Sequence, residues 1–164
     1  MCSSDLLEDY SAKVVQASEE AEIADAIDAY LVDQGARSVV VPAGLPEAYK
    51  EAAARGRRTV REDSREKPIP TLELNEIDAV VTCSRVSISM SGTICLDGEP
   101  DQGRRAITLV PDTHVVVIER DMIMPTVPQA VDVLGQNPTR PTTWIAGGSV
   151  DNRSEERRVG KECR

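Results

Sequence analysis

The sequence predicts an α/β fold built on a parallel sheet, with a β-rich insertion in its second half. Up to Thr82, helix-like and strand-like patterns alternate, which calls for parallel strands joined by helical crossovers. After Thr82 the pattern turns to short β-rich runs: Val86 and Ile88 alternate with serines, and Gly92 to Leu96 is β-rich again. The core must be aliphatic, because the aromatic residues are only Tyr10, Tyr30, Tyr49 and Trp144, with no Phe.

In chain order, Glu19 to Gln34 reads as an amphipathic helix. Ile23, Ala26, Ile27, Tyr30 and Leu31 recur there at three- and four-residue spacing. Ser18 is the expected N-cap, although Ala21 stands where a capping box would carry Glu or Gln, and Gly35 is the expected stop. Arg37 to Val41 is a β-branched run closed by Pro42, a buried strand by length and composition. Leu45 to Arg55 is a second helix with Pro46 in its first turn and Gly56 beyond its end. Arg57 to Arg61 reads as a strand, Glu62 to Pro70 as a charged loop, Thr71 to Ile77 as a short helix, and Asp78 to Thr82 as a third strand. Further on, Asp97-Gly98 signals a turn, and Ala106 to Val110 and His114 to Glu119 read as strands. Pro128 to Leu134 is a short helix opening on proline, and Trp144 to Ala146 is a last strand running into Gly147-Gly148. There are no internal repeats and no low-complexity segments.

At 164 residues the chain suits one domain with a core of its own. A formal charge of −9 argues against non-specific binding to nucleic acid or an anionic membrane, both of which need a basic face. No apolar run approaches the ~20 residues that span a bilayer, and no basic segment precedes an apolar one at the N-terminus. The expectation is therefore a cytoplasmic protein with no membrane span and no nucleic-acid partner. Cys2, Cys83, Cys95 and Cys163 form no C-x-x-C pair, and His114 is the only histidine, so neither a metal site nor an iron–sulfur cluster is expected. No G-x-G-x-x-G string supports NAD binding. Cys83 and Cys95 lie in apolar, Val- and Ile-rich stretches and read as buried, inert thiols.

The two ends have a different character. RSEERRVGKECR, from Arg153 to Arg164, carries five basic and three acidic groups and only Val159 and Cys163 as apolar residues. Its opening matches the translation of a common sequencing adapter, AGA-TCG-GAA-GAG-CGT-CGT, and Cys2 to Leu6 matches a second one, TGC-TCT-TCC-GAT-CT. The expectation is a partial domain over residues 7–152, with 1–6 and 153–164 as non-native termini. Setting these aside leaves the charge at about −10, so the acidic balance is unchanged.

Three strings carry a resemblance. They are Ser91-Gly92-Thr93-Ile94 with Leu96-Asp97, Gln102-Gly103-Arg104-Arg105, and Leu109-Val110-Pro111-Asp112-Thr113-His114. In this order, and followed by the Val127-Pro128 helix and Thr143-Trp144-Ile145, they resemble the LUD domain family in its lactate-utilization-protein-C form. Val41-Pro42-Ala43-Gly44-Leu45-Pro46 also looks like that family's first strand and loop. The resemblance covers roughly Arg37 to Ser149. It implies a NagB/RpiA/CoA-transferase-like fold, the one shared by sugar-phosphate isomerases and CoA transferases, with helices on both faces of the sheet. It also implies a place in a cytoplasmic assembly that oxidises L-lactate to pyruvate, in which companion subunits carry the iron–sulfur clusters and this chain carries no redox cofactor. The resemblance supplies no catalytic residue.

The sequence departs from that family where an acidic residue usually precedes the Ser/Thr-Gly-Thr string. Here the position is Met90. The family also has an N-terminal helical segment and a C-terminal continuation beyond the Trp strand, so an unpaired sheet edge is expected.

The residues themselves leave the site open between a structural and a ligand-binding reading. Ser91, Gly92 and Thr93 can present hydroxyls and backbone N–H groups to a carboxylate or phosphate, or can form a simple turn or bulge. Gln102, Gly103, Arg104 and Arg105 offer paired guanidiniums for bidentate anion capture. In a strand the two arginines would face opposite ways, and both could instead pair with Asp101, Asp112 or Glu99. His114, behind Asp112 at the entry to an apolar strand, is either a structural hydrogen-bonding group or a proton carrier. The alternative to the accessory-subunit expectation is a small-molecule enzyme or sensor that binds a phosphate, CoA ester or carboxylate.

Overall fold

The computed structural model describes residues 12–146. Within them the elements run α1 (Glu20–Asp33), β1 (Ser38–Pro42), α2 (Glu47–Ala54), β2 (Thr59–Asp63), α3 (Thr71–Leu74) and β3 (Ala79–Cys83). Then come β4 (Val86–Ile88), β5 (Thr93–Leu96), α4 (Arg105–Leu109), β6 (Thr113–Val117), β7 (Ile123–Met124), α5 (Val127–Leu134) and β8 (Thr143–Ala146). The terminal strings 1–6 and 153–164, and Gly147-Gly148, lie outside the described residues.

The alternating half of the sequence supplies three strands of the expected parallel sheet, and β6 from the second half supplies the fourth. Its order is β2-β1-β3-β6, and every neighbouring pair is parallel. Successive side chains of a strand point to opposite faces, so each central strand feeds two cores. Val39, Val41, Ala79 and Val81 pack under Ala24, Ile27 and Leu31 of α1 and Ala52 and Ala53 of α2. Val40 and Val80 face the other way, against Leu74 of α3, Ile107 of α4, Ile69 and Ile77. Leu31, Leu74 and Ile107 are fully enclosed, each contributing about 2 kcal/mol of burial. Helices therefore cover both faces, as the fold class requires.

The β-rich part is a second sheet rather than a simple insertion. Its order is β7-β4-β5-β8, with β4 and β8 antiparallel to β5 and β7 parallel to β4, so its strands come from both sides of β6 in sequence. Val86, Ile88 and Cys95 on one face pack against Ala130 and Leu134 of α5. The β4–β5 hairpin turns at Ser89 to Gly92, where Gly92 has φ +60°. The Asp97-Gly98 signal marks a different event: Gly98, at φ +71°, turns the chain out of β5 into a loop.

Local chemistry explains the boundaries. Helix α1 ends in a Schellman motif: Gly35, at φ +66°, donates to the Val32 carbonyl and Ala36 to the Leu31 carbonyl, each at 3.0 Å. Its start differs from expectation, because Glu19 is the capping position and no side chain caps it. Instead the Glu22 carboxylate reaches back to accept the Ser18 N–H at 2.8 Å. Helix α5 has a capping box between Thr126 and Gln129, with Pro128 in its first turn.

Two expectations need correcting. β2 begins at Thr59 and runs on to Asp63, which the sequence placed in a loop. Residues Arg55–Arg57 are taken up by a 3-10 turn, and Arg58 is a buried anchor that donates to the Ala52 and Ala53 carbonyls and pairs with Asp28. Ala106 to Val110 forms no strand: helix α4 occupies Arg105–Leu109. A five-residue apolar run cannot distinguish the two by periodicity. Here the positive φ of Gly103 (+74°) and the packing of Ile107 on Val40 and Val80 decide for a helical turn. Among the described residues, no helix is long and apolar enough to cross a membrane.

Candidate functional site

The order β2-β1-β3 reverses direction at β1, and ligands of open α/β sheets bind where the strand order reverses, outside the carboxyl ends of the strands. In this protein the loop from Gly98 to Gly103 lies across that position. The Gly44 N–H, just after β1, donates to the Pro100 carbonyl at 2.9 Å. The Cys83 N–H, at the end of β3, donates to the Asp101 carbonyl at 3.2 Å. The loop is held from within by Gln102, which is 1% exposed and whose Oε1 accepts the Asp97 and Gly98 N–H groups at 2.7 and 3.2 Å.

Arg104 sits at the carboxyl end of β2, and its fork is committed. Its Nε donates to Asp63 Oδ2 at 2.8 Å, and its Nη2 donates to Asp63 Oδ1 at 2.6 Å and to the Ile69 carbonyl at 3.0 Å. Asp63 is buried and also accepts the Ile69 N–H at 2.8 Å. The partner is therefore neither Asp101 nor Asp112 nor Glu99. Because Arg104 caps α4 and Arg105 begins it, the strand-based opposition of their side chains does not apply. Arg105 is exposed and makes no ion pair among the described residues.

Gln102, Gly103, Arg104 and Arg105 line one side of a cavity of about 310 Å³, with Arg65 and Thr108 beside them. Leu96, Pro141 and Thr143, from the second sheet and the segment before β8, form the facing wall. Arg140 ties the walls together: its Nη1 donates to Asp97 Oδ2 at 3.3 Å and to Glu99 Oε1 at 2.5 Å. One of the three sequence candidates thus lies in a cavity at the sheet's carboxyl edge.

The LUD domain family profile matches residues 4–160. The chain belongs to the LUD domain family. The match extends into both terminal strings singled out in the sequence. Lactate utilization protein C of Deinococcus radiodurans is 40% identical over 157 residues, covering 94% of this chain and 70% of that protein. Lactate utilization protein C of Bacillus subtilis is 33% identical over 57 residues, covering 35% of this chain and 23% of that protein. A crystal structure of a DUF162 family protein from Deinococcus radiodurans superposes with a TM-score of 0.79 at 40% identity, covering 90% of this chain and 85% of that one.

In this LUD domain the other two candidates stand apart from the cavity. Ser91, Gly92 and Thr93 form the β4–β5 hairpin end, where the Ser91 and Thr93 hydroxyls bond each other at 2.8 Å. Leu96, the strand's cavity-lining residue, is at the far end of β5, about 10 Å along the strand. Met90, in the hairpin turn, is two-thirds exposed.

His114 lies on β6 opposite Val80, with Nε2 2.8 Å from Thr82 Oγ1. Burial pushes its pKa down to about 4, so the imidazole is neutral at physiological pH. The unfolded chain, with His near 6.5, then binds more protons than the folded one between pH 4 and 6.5. Stability should be fully present above pH 6.5 and fall as the pH drops toward 4. Urea midpoints across that range check this, and His114→Gln should flatten the slope. An unchanged slope in the variant would assign the pH dependence to other groups.

Cys83 and Cys95 are free thiols, pushed up by burial to about 12 and about 11, with Asp101 adding to the effect at Cys83. Iodoacetamide at pH 8 should leave both unlabelled in the native protein, and peptide mass spectrometry should find them labelled only after denaturant is added. Labelling of either in the native state would contradict their placement.

Asp63, Arg65 and Arg140 belong to the site, yet the sequence did not reveal them. Asp63 meets Arg104 across 41 residues, and Arg140 meets Glu99 across 41. No local pattern encodes such pairings. The one available signal was the unassigned charge of the Glu62 to Pro70 stretch.

Proposed function

We propose that this LUD domain serves the oxidation of L-lactate to pyruvate as an accessory component of a cytoplasmic assembly, with iron–sulfur subunits as its partners. The observation that carries this reading is the 40% identity, over 94% of the chain, to a protein named for lactate utilization. Taking lactate to pyruvate removes two electrons and two protons, so a redox group must receive them. The reading assigns that chemistry to the iron–sulfur partners. An affinity-tagged chain produced in a host containing the companion subunits should recover the iron–sulfur proteins with it. Recovery of the tagged chain alone, with the companions present and soluble, counts against the proposal.

A second reading is favoured by the cavity. A 310 Å³ space bordered by Arg65 and Arg105 at the carboxyl edge of a parallel sheet suits a small anion, as substrate or as signal. Thermal-shift measurements with L-lactate, pyruvate, phosphate, sugar phosphates and CoA test it. A melting temperature that none of these moves would sink it. The two readings are compatible, since an accessory subunit can carry a ligand pocket.

A further inference from the structure

We propose that the cavity takes a small organic acid with an apolar body, its carboxylate or phosphate held by Arg105 and Arg65 and not by Arg104. This rests on the second reading and specifies the ligand and the residues that hold it. Arg104 has its Nε and Nη2 edge turned into the protein, with one bond from each to Asp63 and a further Nη2 bond to the Ile69 carbonyl, and Asp63 neutralises its charge. Arg105 borders the same cavity with no ion pair among the described residues. Arg65 is held there by a single bond, Nη2 to the Gly98 carbonyl at 3.1 Å, which leaves its other N–H groups to point elsewhere. Two guanidiniums on one cavity with no ion pair among the described residues, in a chain of net charge −9, make a local anion site against the overall field.

The rest of the lining selects the body of the ligand. Leu96 and Pro141 present hydrocarbon, Thr108 and Thr143 add a methyl and a hydroxyl each, and Gly98 and Gly103 bring backbone close. The cavity's 310 Å³ corresponds to about ten water volumes. A bare phosphate or a three-carbon acid would leave most of it unfilled. A body of roughly five to ten carbon atoms, with one anionic end, fits both the space and the charge.

The test is calorimetric titration of the full chain with hexanoate, phenyl phosphate, acetate and inorganic phosphate. Hexanoate or phenyl phosphate should bind at least tenfold more tightly than the bare anion with the same head group. Comparing the two bodied ligands then distinguishes a carboxylate from a phosphate head. Arg105→Gln and Arg65→Gln should each weaken that binding about tenfold, the size of one lost charge-assisted hydrogen bond. Thr143→Leu, which fills the cavity and leaves both guanidiniums in place, should abolish it. Melting temperatures of the variants show whether each is folded, and Thr143→Leu decides the matter if an arginine variant is not. Binding of hexanoate or phenyl phosphate undiminished by Arg65→Gln/Arg105→Gln would overturn this assignment while leaving the second reading intact. So would bare anions binding as tightly as bodied ones. Absence of binding by all four would overturn this assignment, whereas the second reading falls only if the thermal-shift series is also flat.

Discussion

Arg104→Ala is expected to lower folding stability by about 3 kcal/mol, a large fraction of what a domain of this size possesses. The reason is what the substitution leaves behind. The Asp63 side chain has no solvent exposure, and two of its three hydrogen bonds come from Arg104. Without the guanidinium, a buried carboxylate keeps only the Ile69 N–H as donor. Removing both charges together, as in Asp63→Leu/Arg104→Leu, should recover much of the loss, because the cost lies in the orphaned charge and not in the absence of the pair. Urea denaturation of the two single variants and the double variant measures this directly. A midpoint unchanged by Arg104→Ala would mean that the fork is free, and would return Arg104 to the list of ligand-binding groups. An Arg104 variant therefore reports mainly on folding, and Arg105 and Arg65 variants report on ligand binding.

Gly44→Ala should be similarly damaging, for a steric reason. A Cβ at this position would lie 2.4 Å from Pro100 Cβ and 2.5 and 2.6 Å from the Pro100 carbonyl carbon and oxygen. These are largely backbone atoms, so the whole loop from Gly98 to Gly103 must shift. That shift breaks the bonds from Gly44 to Pro100 and from Cys83 to Asp101, and it displaces the Gln102 wall of the cavity. Forced overpacking of this kind costs about 3 kcal/mol, or roughly 8 °C in melting temperature for a domain of this length. Gly35→Ala is the control, because its Cβ would meet nothing within 4 Å and only the positive φ of +66° is penalised, about 1 kcal/mol. Equal melting temperatures for the two variants would contradict the clamped loop.

The parts of this fold that could be read from the sequence are those with local causes. Helix α1 announces itself by the spacing of Ile23, Ile27 and Leu31, and Gly35 ends it with a left-handed residue. The central strands β1 and β3 are short β-branched runs with enclosed side chains, and alternation with helices dictates their parallel pairing. Where the cause is distant, the sequence is silent or misleading. Ala106 to Val110 has strand-like composition, and only the approach from Gly103 and the packing of Ile107 make it helical. The end of β2 was hidden because Asp63 is charged, and charge reads as surface unless its partner is known. The candidate site shows the same division. Gln102 to Arg105 stood out as a run, but which arginine is free depends on Asp63, far upstream. Ser91, Gly92, Thr93 and His114 were equally visible, and the fold sets them elsewhere.

The measurement that bears most directly on the proposed role is L-lactate-dependent reduction of an artificial electron acceptor by the companion iron–sulfur subunits, assayed with and without this chain. The account predicts a rate that rises on adding the chain and saturates at stoichiometric amounts. A rate that is the same with and without it, for companions that are cluster-loaded and active, would contradict the assignment.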